Sequence, residues 1–257
     1  AGGIKTRFMF SSKLHGDAVY LDPNRHSALT ACELADYAVF KLTNKKLPAP
    51  EFNSIRYEWY FSDEEISRAK YILKSVNIAK DNFMAIFPGG GINPGAFDTV
   101  RRWKASRFAE LIYRIHDKYG FKPLLMGGKS DRQVCEEVAR ISDVDCVNLS
   151  GSYGLRLSAA ILKNCQVAVS NDSGPLHIAA AVGAPVVGIF GPTGPKLKLP
   201  PGKNVREASI GIPCSPCYFG KFKGCIFDSV KCFEDLTSEL VMKSVNSLLE
   251  TQLLEAK

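Results

Sequence analysis

Residues 167–193 read VAVSNDSGPLHIAAAVGAPVVGIFGPT, and this stretch decides the fold. An apolar run ends at Asn171 and Asp172, a tight Ser173–Gly174 turn follows, and Pro175 takes the first helical position, where its missing N–H costs nothing. A strand therefore runs into a helix whose N-terminus faces whatever lies beyond the strand end. Free N–H groups and the helix dipole make such a terminus an anion site, and Gly174 lets a phosphate approach the backbone closely. Asp172 repels phosphate, so its partners would be sugar hydroxyls. His177, on the first turn, can donate to a phosphate or a hydroxyl. A capped structural helix with a satisfied histidine is the competing reading of these residues taken alone.

Outward from this segment, apolar strands alternate with amphipathic helices from Lys80 to Val187, the pattern of a parallel sheet wrapped by helices. The runs Phe83–Phe87, Pro123–Met126, Cys146–Leu149, Val167–Ser170 and Val186–Phe190 predict strands. Helical spacing of apolar residues, such as Phe108, Leu111, Ile112 and Ile115, predicts helices over Ser106–Tyr119, Asp131–Ile141, Leu155–Lys163 and Pro175–Val182. The sum is an α/β doubly wound unit, in which ligands bind outside the carboxyl ends of the strands.

Two further strand ends carry glycines. In FPGGGINPGAFDTVRRW, residues 87–103, Gly89 and Gly90 permit a backbone that hugs phosphate, and Arg101 and Arg102 can pair with a diphosphate. In Met126–Asp131, the Gly127–Gly128 pair brings Asp131 to a helix start, where it either accepts ribose hydroxyls or caps the helix. Neither segment is a dinucleotide fingerprint or a Walker A loop. A pyridine-nucleotide dehydrogenase is disfavoured on that ground.

The first eighty residues differ. Arg7–Ser11 reads as a strand and Ser62–Val76 as a helix opened by Ser62, Asp63, Glu64 and Glu65, with Pro48–Pro50 as a loop between them. This is too little to form a sheet domain with its own core. The segment therefore reads as the tail of a domain whose beginning lies upstream, in keeping with a chain that starts at Ala1 rather than Met. Arg25 and His26 either face an anionic acceptor or sit on a solvated loop. Ser238–Leu254 is again amphipathic.

With 257 residues, 46% of them hydrophobic and 23% charged, the chain builds a core without disulfides, and no apolar run is long enough for a membrane span. The net charge of +7 suits anionic small molecules, anionic lipid surfaces and nucleic acid alike. Dispersal of the basic residues, with no aromatic-basic surface motif, argues against nucleic acid. Of eight cysteines, Cys32, Cys135, Cys146 and Cys165 lie in apolar stretches and read as small hydrophobes. Cys214, Cys217, Cys225 and Cys232 are clustered. They supply the first Cys-x2-Cys of a thiolate metal site but lack the second pair of a zinc ribbon, which leaves a structural zinc, an iron–sulfur site and unligated thiols open. Disulfides are disfavoured in a cytosolic setting.

Taken in order, the Arg101-Arg102-Trp103 stretch before Phe108-Ala109-Glu110-Leu111, the Gly127–Gly128 turn, and Asn171-Asp172-Ser173-Gly174-Pro175-Leu176-His177 followed by Gly188–Thr193 resemble the ADP-heptose:lipopolysaccharide heptosyltransferases, glycosyltransferase family 9. The resemblance runs from about residue 83 onward and implies a GT-B fold, two Rossmann-like domains face to face. Residues 1–79 would then be the remainder of the N-terminal, acceptor-side domain, 80–236 the domain binding the nucleotide sugar, and 237–257 a helix packing back toward the first domain. It also implies transfer of heptose from ADP-heptose to the lipopolysaccharide inner core, lipid A-Kdo, by a cytoplasmic enzyme, with inversion, no metal and no cofactor. Peripheral contact with the inner membrane is a further implied partner. Donor-binding residues would be Gly89, Gly90, Arg101, Asp131, Tyr153, Asn171, Asp172, Ser173, Gly174 and His177. Arg101 stands where the family usually has a diphosphate-binding Lys, and Tyr153 falls near the residue covering the adenine. The family's proposed base is an Asp in a loop near the start of the full-length protein, and nothing before Arg7 supplies one. No catalytic residue is therefore assigned, and the chain is expected to bind ADP or ADP-sugar while transferring poorly. Another GT-B nucleotide-sugar enzyme, such as an epimerase, and a noncatalytic binding fragment are the alternatives.

Overall fold

The computed structural model describes residues 25–79, 82–90, 99–218 and 224–255, together with the backbone of four short strand segments, β1 (Arg7–Phe8), β2 (Val19–Tyr20), β4 (Ile92–Asn93) and β5 (Ala96–Phe97). In chain order the other elements are α1 (Ser27–Thr43), α2 (Asp63–Ser75), β3 (Phe83–Phe87), α3 (Ala105–Tyr119), β6 (Lys122–Leu125), α4 (Arg132–Ile141), β7 (Val147–Asn148), α5 (Leu155–Leu162), β8 (Val167–Asn171), α6 (Gly174–Ala181), β9 (Val186–Ile189), α7 (Pro195–Lys198), β10 (Val205–Ala208), α8 (Lys231–Glu234) and α9 (Ser238–Glu255). β1 pairs with β2 and β4 with β5, each pair antiparallel. The strand expected over Arg7–Ser11 is found at Arg7–Phe8; its remainder lies outside the described residues.

Six strands form one all-parallel sheet in the order β10-β9-β8-β3-β6-β7. From the central β3 the chain works outward through β6 and β7, returns to β8 on the other side, and works outward again through β9 and β10. That reversal is the dinucleotide-binding, Rossmann-like order, and it leaves a crevice beyond the carboxyl ends of β3 and β8. β10, an edge strand with Val205 and Ala208 buried at its two ends, is an addition to the five strands read from sequence.

Side-chain alternation along β3 explains the two layers. Phe83, Ala85 and Phe87 point into a core shared with α2, α5 and α6, while Met84 and Ile86 point into a second core shared with α3, α4 and α9. Every residue of β3 is buried, as a central parallel strand requires. α3 presents Phe108, Leu111, Ile112 and Ile115 to the sheet and stops at Gly120, whose φ of 72° closes the helix.

Ala69, Ile72 and Leu73 of α2 are part of the first core, and the helix packs along α5. Ser62 caps it in a full capping box with Glu65, and Glu65 also pairs with Arg156 of α5. α9 buries Val241, Met242, Val245, Leu248 and Leu249 against α3, β9 and β10. Its apolar side covers that face of the sheet together with α3 and α4.

Candidate functional site

The end of β8 builds the site through Asn171. Its amide is fully buried: Nδ2 donates to the carbonyls of Pro88 and Gly89, both at 2.9 Å, and Oδ1 accepts the backbone N–H of Trp103 at 3.0 Å. One side chain thus ties the switch point to the glycine loop after β3 and to the Arg101–Trp103 turn. Asn171, expected as a donor contact, spends its buried amide on these three backbone partners at the crevice floor.

Asp131 does the same from the turn that leads into α4. Its carboxylate accepts the N–H of Gly90 (3.1 Å) and of Gly128 (2.9 Å), and lies 3.6 Å from Arg102, whose Nε donates to the Gly90 carbonyl at 2.6 Å. This clamp explains the glycines. A Cβ on Gly89 would lie 2.2 Å from Asp131 Oδ1, and Gly90 adopts a φ of 109° with Ser173 close by. A carboxylate has about four acceptor positions, so Asp131 retains capacity for a ligand hydroxyl.

Arg101 stands at the crevice wall, its Nη1 donating to the Asp172 carbonyl (3.2 Å) with the Asp172 carboxylate at 4.0 Å, and its guanidinium 5.2 Å from the ring of Tyr218. Among the described residues, Arg101 Nε, Arg102 Nη2 and Thr193 Oγ1 are buried without a hydrogen-bond partner. Such donors have unused capacity, which an anion would satisfy. Ser173 is the N-cap of α6 but makes no capping bond; its hydroxyl turns to the Asn171 carbonyl, and space beside Gly174 is open. Burial lowers the pKa of His177, with Lys198 and His26 adding to the shift and Asp172 opposing it. Below its ordinary 6.5, His177 is a neutral hydrogen-bonding group at pH 7 rather than a fixed cation.

Two cavities meet here. One of about 370 Å³ is polar and is walled by Arg101, Asp131, Asp172, Ser173, His177 and Lys198. The other, about 500 Å³, is mostly apolar and is walled by Phe87, Tyr153, Leu155, Leu162 and Ile178. Asp131, Gly174 and Pro175 line both, so the α6 terminus divides one continuous crevice into a charged half and an apolar half. The structure brings Gly90, Arg101, Asp131, Asp172, Ser173, Gly174 and His177 around the first and Tyr153 onto the second; Gly89 lies behind Gly90 against Asp131. Lys198 is an addition, signalled only by the lysines that follow Gly194–Pro195. Arg25 and His26 stand apart: Arg25 pairs with Glu33, and His26 caps α1 while its other ring nitrogen meets the Leu199 carbonyl at 2.8 Å.

The four clustered cysteines are free thiols, and among the described residues no three His, Cys, Asp or Glu side chains are arranged as a ready metal site. Nor is any described helix long and apolar enough to cross a membrane.

A parallel sheet of Rossmann-like order, with a polar crevice and an adjoining apolar slot at its switch point, defines a doubly wound α/β protein. Residues 49–225 match the family model described as glycosyltransferase family 9 (heptosyltransferase), and the chain belongs to that family. A lipooligosaccharide heptosyltransferase 2 of Campylobacter jejuni is 30% identical over 166 residues, 62% of this chain and 50% of the relative. Among solved structures, Escherichia coli ADP-heptose lps heptosyltransferase II superposes with a TM-score of 0.61 at 24% identity, covering 80% of this chain and 56% of that one. A family 9 glycosyl transferase from Veillonella parvula gives 0.66 at 19% identity, covering 88% and 61%. The fold is therefore the GT-B heptosyltransferase type expected from sequence, and the chain spans about half the length of the curated relatives it matches.

Proposed function

We propose that this chain is the donor-binding part of a heptosyltransferase, taking ADP-heptose and passing its heptose to the lipopolysaccharide inner core, lipid A-Kdo. The observation that carries the reading is the divided crevice: an apolar slot with an aromatic wall joined, over the α6 terminus, to a polar compartment with two cations and two carboxylates. An adenine fits the first, stacked against Tyr153, and a diphosphate with its sugar fits the second.

In this reading Arg101, Lys198 and the Gly174 backbone face the diphosphate, Asp131 accepts ribose hydroxyls with its free acceptor positions, and Asp172 accepts sugar hydroxyls. His177, neutral, donates to or accepts from the sugar or the inner phosphate. As the glycosidic bond breaks, negative charge grows on the departing ADP. Cationic and N–H groups already fixed around that oxygen stabilise it without reorganisation, so the transfer step asks nothing of a metal. Inversion at the anomeric carbon follows if the acceptor attacks from the face opposite the diphosphate, and residues 1–79 contribute to that acceptor side. The protein would act in the cytoplasm, with the +7 charge favouring contact with an anionic inner-membrane face.

Calorimetric titration with ADP, UDP and ADP-heptose tests this. ADP and ADP-heptose should bind and UDP should bind at least about tenfold more weakly, a difference of about 1.4 kcal/mol. Preference for UDP would move the chain to another nucleotide-sugar enzyme such as an epimerase, and no nucleotide binding would leave a noncatalytic module. Arg101→Ala should weaken ADP binding by about tenfold or more, the loss of a charge-assisted contact.

A further inference from the structure

Residues 55–61, IRYEWYF, lead into α2, and their exposure alternates: Ile55, Tyr57, Trp59 and Phe61 are half-buried, while Arg56, Glu58 and Tyr60 are exposed. Such alternation belongs to an extended chain with one side laid on a neighbour. Trp59 and Phe61 pack against the first core, with the Arg156 guanidinium 6.0 Å from the Trp59 ring and Lys163 Nζ 5.4 Å from the Phe61 ring. Arg156 also donates to the Tyr60 carbonyl at 2.9 Å, so α5 holds the segment by backbone and side chain together.

Two residues ahead of Trp59, Tyr57 falls on the same side and reaches α6. Its ring centroid lies 6.0 Å from that of His177, with the planes 42° apart, a separation at which aromatic rings attract. His177 is a wall of the polar compartment, and Tyr57 stands behind it. Among the described residues the imidazole makes no hydrogen bond, so ring packing is what orients it. Burial raises the phenol above its ordinary 10, with Cys32 of α1 adding to the shift, so Tyr57 offers an uncharged ring at neutral pH.

We propose that Tyr57 is a positioning residue of the crevice: its ring backs His177 and holds the imidazole toward the polar compartment, which makes the 55–61 segment part of the donor site. What His177 then does for the sugar end of the donor rests on the function proposed above; the contact that orients it does not. The groups facing His177 are Asp172 after β8, Lys198 of α7, His26 ahead of α1 and Tyr57 itself, with Arg101 on the same compartment. Burial is the largest influence on the imidazole and disfavours its charged form, as Lys198 and His26 do, while Asp172 favours it. Tyr57 supplies part of that burial.

The test is an NMR titration of the histidine rings in the full chain, the His177 signal being assigned by its loss in His177→Gln. In Tyr57→Ala water reaches the imidazole, and its pKa should rise toward the ordinary 6.5, whereas Tyr57→Phe, which keeps the ring, should restore the wild-type titration. Should Tyr57→Ala fail to fold, nuclear Overhauser contacts between the two rings in the native chain decide, their absence counting against the pairing. Calorimetry with ADP-heptose reads the consequence: Tyr57→Ala should weaken binding by about threefold to tenfold, the worth of one aromatic pair, and Tyr57→Phe should recover it. Because Tyr57 acts through His177, the double variant with His177→Gln should bind no more weakly than His177→Gln alone. An unmoved His177 titration, losses that add in the double variant, or a Tyr57→Phe as impaired as Tyr57→Ala would overturn this role. A wild-type chain that bound no ADP-heptose would instead remove the donor reading, and the titration would still decide the contact.

Discussion

At the scale of single residues the site is held by buried polar groups rather than by its cations. Asn171 satisfies three backbone groups from two loops, so Asn171→Asp sets a carboxylate against the carbonyls of Pro88 and Gly89 and should destabilise the protein by about 3 kcal/mol or more in urea denaturation. Gly89→Ala drives a methyl into Asp131 and releases the N–H groups of Gly90 and Gly128. ADP affinity should fall by about tenfold with the fold retained, since about 1–3 kcal/mol attends each buried group left unpaired; unchanged affinity would show that the clamp does not shape the crevice. His177 supplies a pH signature. Its folded pKa is lowered, so the unfolded chain takes up the proton first, and the stability this residue contributes above pH 6.5 is lost as the pH falls below it. Melting temperature should drop on acidification from pH 7.5 to about 5, and less steeply in His177→Gln; His26, lowered as well, accounts for part of the remaining slope.

Elements whose signals are local were legible in the sequence. Strand, turn and Pro-initiated helix at 167–181 follow one another within a few residues, and α3 shows its stripe and its terminal glycine without outside help. What sequence could not show is where a side chain finds partners seventy or eighty residues away. The backbone partners of Asn171 are hidden for that reason, and those of Asp131 in the Gly90 loop equally so. β10 has no such local signal: its four residues bury only the first and the last, which is neither an alternation nor an apolar run. Conversely, the capping residues before α2 were plain, and Ser62→Ala should cost about 1 kcal/mol in thermal or denaturant unfolding. Glu65, held near a pKa of about 2 chiefly by Arg156, stabilises α2 above its ordinary 4.5 and ceases to as the pH falls toward 2.

At the scale of the whole molecule, the two faces of the sheet depend on helices from the two ends of the described chain, α2 on one and α9 on the other. Sequence gave both helices their correct extents, but the side each covers is a matter of sheet order, which no local pattern encodes. Leu248→Ala in α9 should therefore cost about 2–5 kcal/mol, as a core truncation does, in equilibrium unfolding. A loss under about 1 kcal/mol would mean that α9 is an appendage.

Trp103 joins these scales. Its backbone N–H reaches Asn171 and its indole Nε1 donates to the Leu236 carbonyl at 2.9 Å, with the ring buried. The chain has one other tryptophan, Trp59, packed against the opposite core beneath Arg156. Nature has in effect installed an optical probe two residues from Arg101: in Trp59→Phe the emission that remains comes from a single indole, and its colour and intensity should follow the filling of the crevice in real time, without a label.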